Sequence, residues 1–151
     1  MLKEKLWVFS MVAGIIAAIS LLAPAWGVIV PSYSFFVWVW GLEVSTDMGI
    51  NFLPGAFLTY GITCTILIWV GAALLISSSV TYKKYKKKTK YIWLIAALLI
   101  IITSVIYVVG LELEYPGLLG DENHSTALIG PLVSGILAIL AEIIYLYNQR
   151  K

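Results

Sequence analysis

Charged residues are absent from four long stretches of the chain, and these stretches predict where its helices lie. The charge-free runs cover residues 6–42, 48–82, 91–111 and 125–141. A helix needs about 20 apolar residues to cross a bilayer core about 30 Å thick. Each run therefore predicts one membrane span, and the fourth span continues past Glu142 to Tyr147. We place the four helices at about residues 6–28, 53–80, 91–111 and 128–147.

The basic residues predict the orientation of these spans, because they occur in only three places. All ten are at the N-terminus, in the loop 81–90 or at the C-terminus: Lys3, Lys5, Lys83, Lys84, Lys86, Lys87, Lys88, Lys90, Arg150 and Lys151. Four spans put these three places on one side of the membrane, and positive residues are retained in the cytoplasm. We therefore expect both termini and the loop 81–90 to be cytoplasmic. Residues 29–52 and 112–127 are then the two outer loops.

Composition indicates the same class of protein. Hydrophobic residues make up 61% of the chain and charged residues 12%, against roughly 45–50% and about 25% in soluble domains. A chain of 151 residues has too little interior to bury this much apolar surface. The sequence predicts an all-α membrane protein in which residues 1–151 form a single four-helix transmembrane domain, and membrane lipid is its expected partner.

The N-terminal segment also resembles a signal peptide, which is the main alternative to a first membrane helix. A basic start is followed by an apolar run and by Ala-Pro-Ala at residues 23–25, a pattern that fits a cleavage site. Cleavage would leave three spans. However, the apolar run from Leu6 to Leu22 exceeds the roughly 7–15 residues of a signal peptide, so we expect an uncleaved helix.

A short aromatic segment lies between the first two predicted helices. The sequence PSYSFFVWVWGLEVS, residues 31–45, carries no charge before Glu43 and is too short to span a membrane. Its aromatic and β-branched residues favour a strand over about residues 33–41, with LEVS as a short partner strand. In a strand, Ser34, Phe36, Trp38 and Trp40 share one face. A strand this apolar needs cover, and its free edge is a site for pairing with another chain.

These features resemble the claudin and peripheral-myelin-protein tetraspans. Those proteins have four helices, cytoplasmic ends and a first outer segment that folds into a sheet, with a Trp after the first helix and a Gly-Leu-Trp motif. Here Trp26 follows the first apolar run, and Trp-Gly-Leu occurs at residues 40–42. The paired cysteines of claudins are missing. The resemblance implies assembly through the outer segment, for which the candidate residues are Trp26, Phe36, Trp38, Trp40, Gly41 and Leu42.

Glu142 is the one residue placed inside a predicted span that is charged at neutral pH, and such residues are often functional. Helical spacing puts it on the same face as the small residues Ser134 and Ala138, which allow close approach of another helix. Ser10 and Ser77 are expected at a similar depth and are candidates to hydrogen-bond it. Two interpretations remain: a structural polar clamp, or part of a path for protons or cations.

Little in the chain predicts catalysis or cofactor binding. With one His and one Cys, a metal or haem site built by this chain alone is not expected, nor is any cofactor. The lysines at positions 83, 84, 86, 87, 88 and 90 are candidates for binding lipid headgroups, although we prefer the simpler explanation that they set the topology and solvate a short turn. Asn123 begins a glycosylation sequon on the predicted outer side. No nucleic-acid partner is expected.

Two functions follow from these patterns. The first is a non-enzymatic membrane protein that forms lateral or cell-surface assemblies through its outer strand, as a homo-oligomer or with another membrane protein. The second is a small transporter or channel subunit that uses Glu142. A single buried carboxylate is a poor basis for transport, so the first function is preferred.

Overall fold

The computed structural model describes residues 5–53, 55–82, 90–114 and 126–149. These residues form four helices and one small antiparallel sheet. The helices are α1, Leu6–Ser20; α2, Gly55–Tyr82; α3, Lys90–Glu114; and α4, Thr126–Gln149. The strands are β1, Trp26–Val30; β2, Tyr33–Val37; β3, Leu42–Ser45; and β4, Gly49–Phe52.

The four helices pack in a ring in which α1 contacts α2 and α4, and α3 contacts the same two helices. Small residues allow close approach. A Cβ atom added at Gly14 of α1 would lie 2.9 Å from the Ala72 carbonyl oxygen of α2. The Ser134 hydroxyl of α4 donates a hydrogen bond of 2.6 Å to the Ala13 carbonyl oxygen of α1. Serine hydroxyls and glycines at helix contacts are typical of bundles formed in lipid.

Three helices contain segments long and apolar enough to cross a membrane, judged by length and composition. The segments are Phe57–Tyr82, Tyr91–Leu113 and Ile129–Tyr147. Their outward surfaces are covered by large apolar side chains. On α3, for example, the exposed residues include Leu98, Ile102, Val105, Ile106 and Val109. Such a surface is unfavourable in water and suits a hydrocarbon solvent.

Helix α1 is shorter than the sequence pattern predicted. It has 15 residues and ends at Ser20, whereas the expected helix continued to about residue 28. The reason lies in the following Leu-Leu-Ala-Pro-Ala. A proline disfavours helical geometry in the residue before it, so Pro24 prevents the helix from continuing. Strand β1 then begins at Trp26, using residues that we had assigned to the helix.

The sheet is a meander in the order β1-β2-β3-β4, with every neighbouring pair antiparallel. The sequence predicted a strand and a short partner, which are β2 and β3. The prediction was incomplete because β1 and β4 were missed. Four strands are physically reasonable, because an isolated two-stranded hairpin is only marginally stable in water.

Strand β2 also ends earlier than predicted, because residues 38–41 turn the chain back. The Gly41 amide donates to the Trp38 carbonyl oxygen at 2.9 Å, and the Trp38 amide donates to the Leu42 carbonyl oxygen at 2.9 Å. Gly41 has a φ angle of +86°, as expected for the glycine of a three-residue hairpin loop. Gly49 has a φ of +72° and ends the next loop in the same manner.

Candidate functional site: a four-stranded sheet with a free edge

The sheet has two different faces, as the alternation in residues 33–41 predicted. The strand register puts Gly27, Phe36, Val44 and Ile50 in one row across all four strands. Because side chains in one row point to the same side, these residues share the face that also carries Phe52. We call this face the outer face. Trp26, Val37 and Glu43 form the adjacent row and point to the opposite side, the inner face.

Aromatic rings form a continuous ladder on the outer face. The ring centroids are 6.5 Å apart for Phe36 and Trp38, 6.4 Å for Trp38 and Trp40, and 6.4 Å for Trp40 and Phe52. Gly27 lies beneath the first ring, because a Cβ atom added there would be 2.5 Å from Phe36 Cδ1. The predicted candidates Phe36, Trp38 and Trp40 are therefore brought together.

The inner face packs towards the helices. The Trp26 ring meets the Phe35 ring edge-on, with centroids 5.3 Å apart. Val37 and Val39 are buried. Trp26 was a predicted candidate, but it lies on the side of the sheet opposite to the ladder, so the predicted set of aromatic residues divides between the two faces.

The turn at residues 38–41 fixes the sheet to the helix bundle. Trp38 Nε1 donates a hydrogen bond of 2.9 Å to the Leu22 carbonyl oxygen, just after α1. On α2, the absence of a side chain at Gly61 leaves room for the Val39 carbonyl oxygen. A Cβ atom added at Gly41 would lie 2.6 Å from Leu58 Cδ1. Gly41 and Leu42 thus serve mainly to dock the turn and continue the ladder of backbone hydrogen bonds.

Strand β4 forms one edge of the sheet, and all four of its residues are exposed. Leu53 donates through its amide to the Gly41 carbonyl oxygen at 2.9 Å. Hydrogen-bonded pairs alternate along an antiparallel ladder, so the backbone groups of Gly49 and Asn51 also point to β3. Those of Ile50 and Phe52 consequently point away from the sheet. The side chains of these two residues are 73% and 60% exposed.

The sequence carries only a weak signal for this edge strand. In Gly-Ile-Asn-Phe, apolar residues alternate with a small and a polar residue, and a turn-forming Thr-Asp-Met precedes them. Four residues are too few for the alternation to stand out beside a helix of 28 residues.

A cavity of about 300 Å³ lies under the inner face of the sheet, next to the ends of α2 and α3. Its walls are mostly apolar. They are formed by Ala25, Trp26, Phe35, Val37, Glu43, Met48, Leu53, Phe57 and Leu111. Sequence reasoning missed this cavity, since it depends on how the sheet docks and no linear motif records that contact.

Glu142 lies inside the helix bundle with 4% of its surface exposed. Ser134 and Ala138 on the same face of α4 are buried with it. The predicted hydrogen bonds from Ser10 and Ser77 to Glu142 are wrong. Ser77 is exposed and donates to the Leu74 carbonyl oxygen of its own helix at 3.4 Å. Ser10 Oγ is buried and has no hydrogen-bond partner among the described residues.

The serines after Leu75 show why this prediction failed. Ser79 Oγ donates to the Leu75 carbonyl oxygen at 2.6 Å, and Ser78 Oγ also bonds carbonyl oxygens one turn back. A serine hydroxyl in a helix finds such an acceptor without any tertiary partner. The side chains nearest this end of the bundle are instead aromatic: Tyr82, Trp93 and Tyr145 form a cluster with ring centroids 5.1 to 6.3 Å apart.

Several predicted candidates fall outside the described residues. These are Asn123 and the lysines at positions 83, 84, 86, 87 and 88. Lys90 begins α3. Among the described residues, no group of three or more His, Cys, Asp or Glu side chains is arranged to hold a metal ion. No protein-family model matches the chain, and no curated protein matches its sequence.

Proposed function

We propose that this chain is a non-enzymatic, multi-pass membrane protein that assembles through its outer sheet. Four spans would place both termini and the basic loop 81–90 in the cytoplasm and the sheet on the outer side. The positive-inside pattern of the sequence supports this orientation. The three long apolar helices support residence in a membrane.

Helix α1 is the shortest of the proposed spans, and its length needs an explanation. Its 15 residues rise about 22 Å at 1.5 Å per residue, which is less than the about 30 Å of a bilayer core. The apolar residues 21–25 continue towards the sheet and add length on the outer side. The sheet itself would then lie close to the membrane surface, where aromatic rings such as Trp38 and Trp40 are favoured.

The observation that carries the assembly proposal is the exposed edge of β4. Ile50 and Phe52 present both unpaired backbone groups and apolar side chains there, and such an edge pairs readily with another strand. Twofold dimers are the most frequent form of oligomer. We therefore propose that β4 of one copy pairs antiparallel with β4 of a second copy, so that the two sheets become continuous.

We also propose that the chain is claudin-like. The resemblance of the sequence to claudins implies a sheet in the first outer segment attached to four helices, and a sheet between α1 and α2 is consistent with it. Here the aromatic ladder and the docked turn would brace the sheet, in place of the paired cysteines that this chain lacks. The claudin-like assignment is part of the proposal and rests on layout and on the residues Trp26 and Trp40–Leu42.

The proposal is tested by placing a charge on each edge of the sheet in turn. Ile50 on β4 and Ile29 on β1 are 73% and 75% exposed and lie on the same face. Ile50→Lys is expected to convert the assembly to single chains, measured as particle mass in detergent, because a lysine opposes strand pairing. Ile29→Lys is the matched control and is expected to leave the mass unchanged. If Ile29→Lys dissociates the assembly and Ile50→Lys does not, β1 is the assembling edge and the proposal is refuted.

A further inference from the structure

The cavity beneath the sheet combines an apolar wall with a single carboxylate. Glu43 on β3 contributes the carboxylate, and Trp26, Phe35 and Phe57 contribute three aromatic rings. Apolar cavities with a few convergent polar groups are the usual form of small-molecule sites. The cavity therefore has both the shape and the lining residues of a small-molecule binding site.

Glu43 has no lysine or arginine near it in the sequence, and none is among the residues that line the cavity. Lysine and arginine are absent from residues 6–82 and 91–149, so every basic residue lies beyond the segments that build this end of the molecule. Asp47 and Glu112, near the same end, add further negative charge. Because a half-buried carboxylate is stabilised by an opposite charge, a cation that enters the cavity would be favoured.

The aromatic rings favour a particular kind of cation. Rings attract ammonium groups through their faces, and the attraction grows when the cation is desolvated. A small inorganic ion would lose its water here and find one carboxylate, which is too few oxygen ligands for calcium. An alkylated ammonium group, which is weakly hydrated and partly apolar, matches a wall of aromatic and aliphatic side chains.

Trp26 adds a second requirement. Its Nε1–H is buried and has no hydrogen-bond acceptor among the described residues. A buried donor without an acceptor is unfavourable, because it has lost its hydrogen bond to water. A ligand that carries an oxygen acceptor near its ammonium group would satisfy this donor.

We propose that the cavity under the sheet binds an alkylammonium compound that carries a hydrogen-bond acceptor. The ammonium group pairs with Glu43, the rings of Trp26, Phe35 and Phe57 surround its alkyl groups, and Trp26 Nε1–H donates to the acceptor. The same chemistry occurs in free quaternary ammonium esters and in the choline headgroups of phospholipids. This inference goes beyond assembly, because the cavity is on the inner face and the proposed assembly edge is β4.

The test uses butyrylcholine and its neutral isostere 3,3-dimethylbutyl butyrate, titrated calorimetrically into the full-length protein in phosphatidylglycerol nanodiscs. Butyrylcholine is expected to bind about tenfold more tightly than the isostere, which corresponds to about 1.4 kcal/mol. Equal binding of the two compounds, or no binding of butyrylcholine, would overturn the proposal. This comparison uses the unmodified protein and does not depend on a variant that folds.

Two variants test the roles of individual residues. Glu43→Gln is expected to weaken butyrylcholine binding by about tenfold. Asp47→Asn removes the same charge from an exposed residue outside the cavity and is expected to change binding by less than about twofold. Equal losses in both variants would show a diffuse surface effect and would contradict the site. Trp26→Phe should weaken butyrylcholine but not hexyltrimethylammonium, which has no acceptor.

The source of the ammonium group is identified by changing the lipid. If phosphatidylcholine headgroups occupy the cavity, nanodiscs of phosphatidylcholine will compete with butyrylcholine and reduce its apparent affinity. If a free compound is the ligand, the affinity will be the same in both lipids. Either result identifies the ligand of the proposed site, provided that the dependence on Glu43 is observed.

Discussion

At the scale of single residues, the closest approach between the sheet and the bundle occurs at Gly61. The Val39 carbonyl oxygen occupies the space that a side chain on Gly61 would need. Because the neighbouring atom belongs to the backbone, it cannot move by a change of rotamer. The position of the sheet on α2 therefore depends on the absence of one methyl group.

Gly61→Ala is expected to destabilise the protein by about 1–3 kcal/mol, as other overpacking substitutions do. The measurement is unfolding in denaturing detergent, followed by the fluorescence of the tryptophans. Gly71→Ala is the matched control on the same helix. Its added Cβ would lie 2.6 Å from Ile100 Cγ1, a side-chain atom that can shift, so the loss should be smaller. Equal losses would mean that docking of the turn contributes nothing specific.

Glu142 is the second residue with a specific expectation. We predict a structural role, so Glu142→Gln, which keeps shape and hydrogen-bonding capacity, should fold and assemble as the original protein does. Glu142→Leu should lose about 1–2 kcal/mol of stability because it removes polar contacts within the bundle. Proton flux in proteoliposomes provides the opposing test: a flux that is present in the original protein and abolished by Glu142→Gln would favour transport.

At the scale of elements, the sequence predicted the helices α2, α3 and α4 better than the sheet. A charge-free run of 20 residues or more is a strong signal, since lipid requires it over the whole length of a helix. The strand β2 was recognised from its aromatic and β-branched residues. Strands β1 and β4 were missed, because the first continues an apolar run and the second has only four residues.

The candidate residues also divide into those whose positions follow from a local pattern and those whose positions depend on the packing of separate elements. The rings of Phe36, Trp38 and Trp40 follow one another as the predicted alternation requires, but β2 ends at Val37, so strand geometry accounts for Phe36 and the turn at residues 38–41 for the two tryptophans. The partners of Ser10 and Ser77 depend on the rotation and depth of separate helices, which spacing along one helix does not determine.

Val37 shows why the choice of a position for a charged substitution also requires the structure. It is 7% exposed and lines the cavity, so a charge placed there would disturb packing before it tested assembly.

At the scale of the whole molecule, the proposed orientation places the sheet and the basic loop on opposite sides of a membrane. The basic residues occur in the sequence only in the N-terminal segment, the loop 81–90 and the C-terminus, which the proposed topology puts on one side, whereas Glu43 and Asp47 belong to the sheet and the loop after β3. In this proposed orientation the outer side would be acidic and the inner side basic. The proposed cation site and the proposed assembly edge would then lie on the same, outer side of the membrane.

Single cysteines in a Cys64→Ser background test this orientation. Asp47→Cys should react with an impermeant thiol reagent added to intact cells, because the β3–β4 loop is exposed and the proposed topology puts it outside. Lys5→Cys should react only after the cells are opened. Labelling of Lys5→Cys in intact cells, with no labelling of Asp47→Cys, would contradict the proposed topology and indicate the opposite orientation.

The most direct test of the central claim is crosslinking of β4 between copies of the chain in the membrane. Paired strands lie about 4.8 Å apart, so residues at the shared edge come within reach of a short bismaleimide. In the Cys64→Ser background, Ile50→Cys is expected to give a covalent dimer, and Ile29→Cys, equally exposed on β1, is expected to remain a single chain. Dimers from Ile29→Cys with none from Ile50→Cys would contradict assembly through β4.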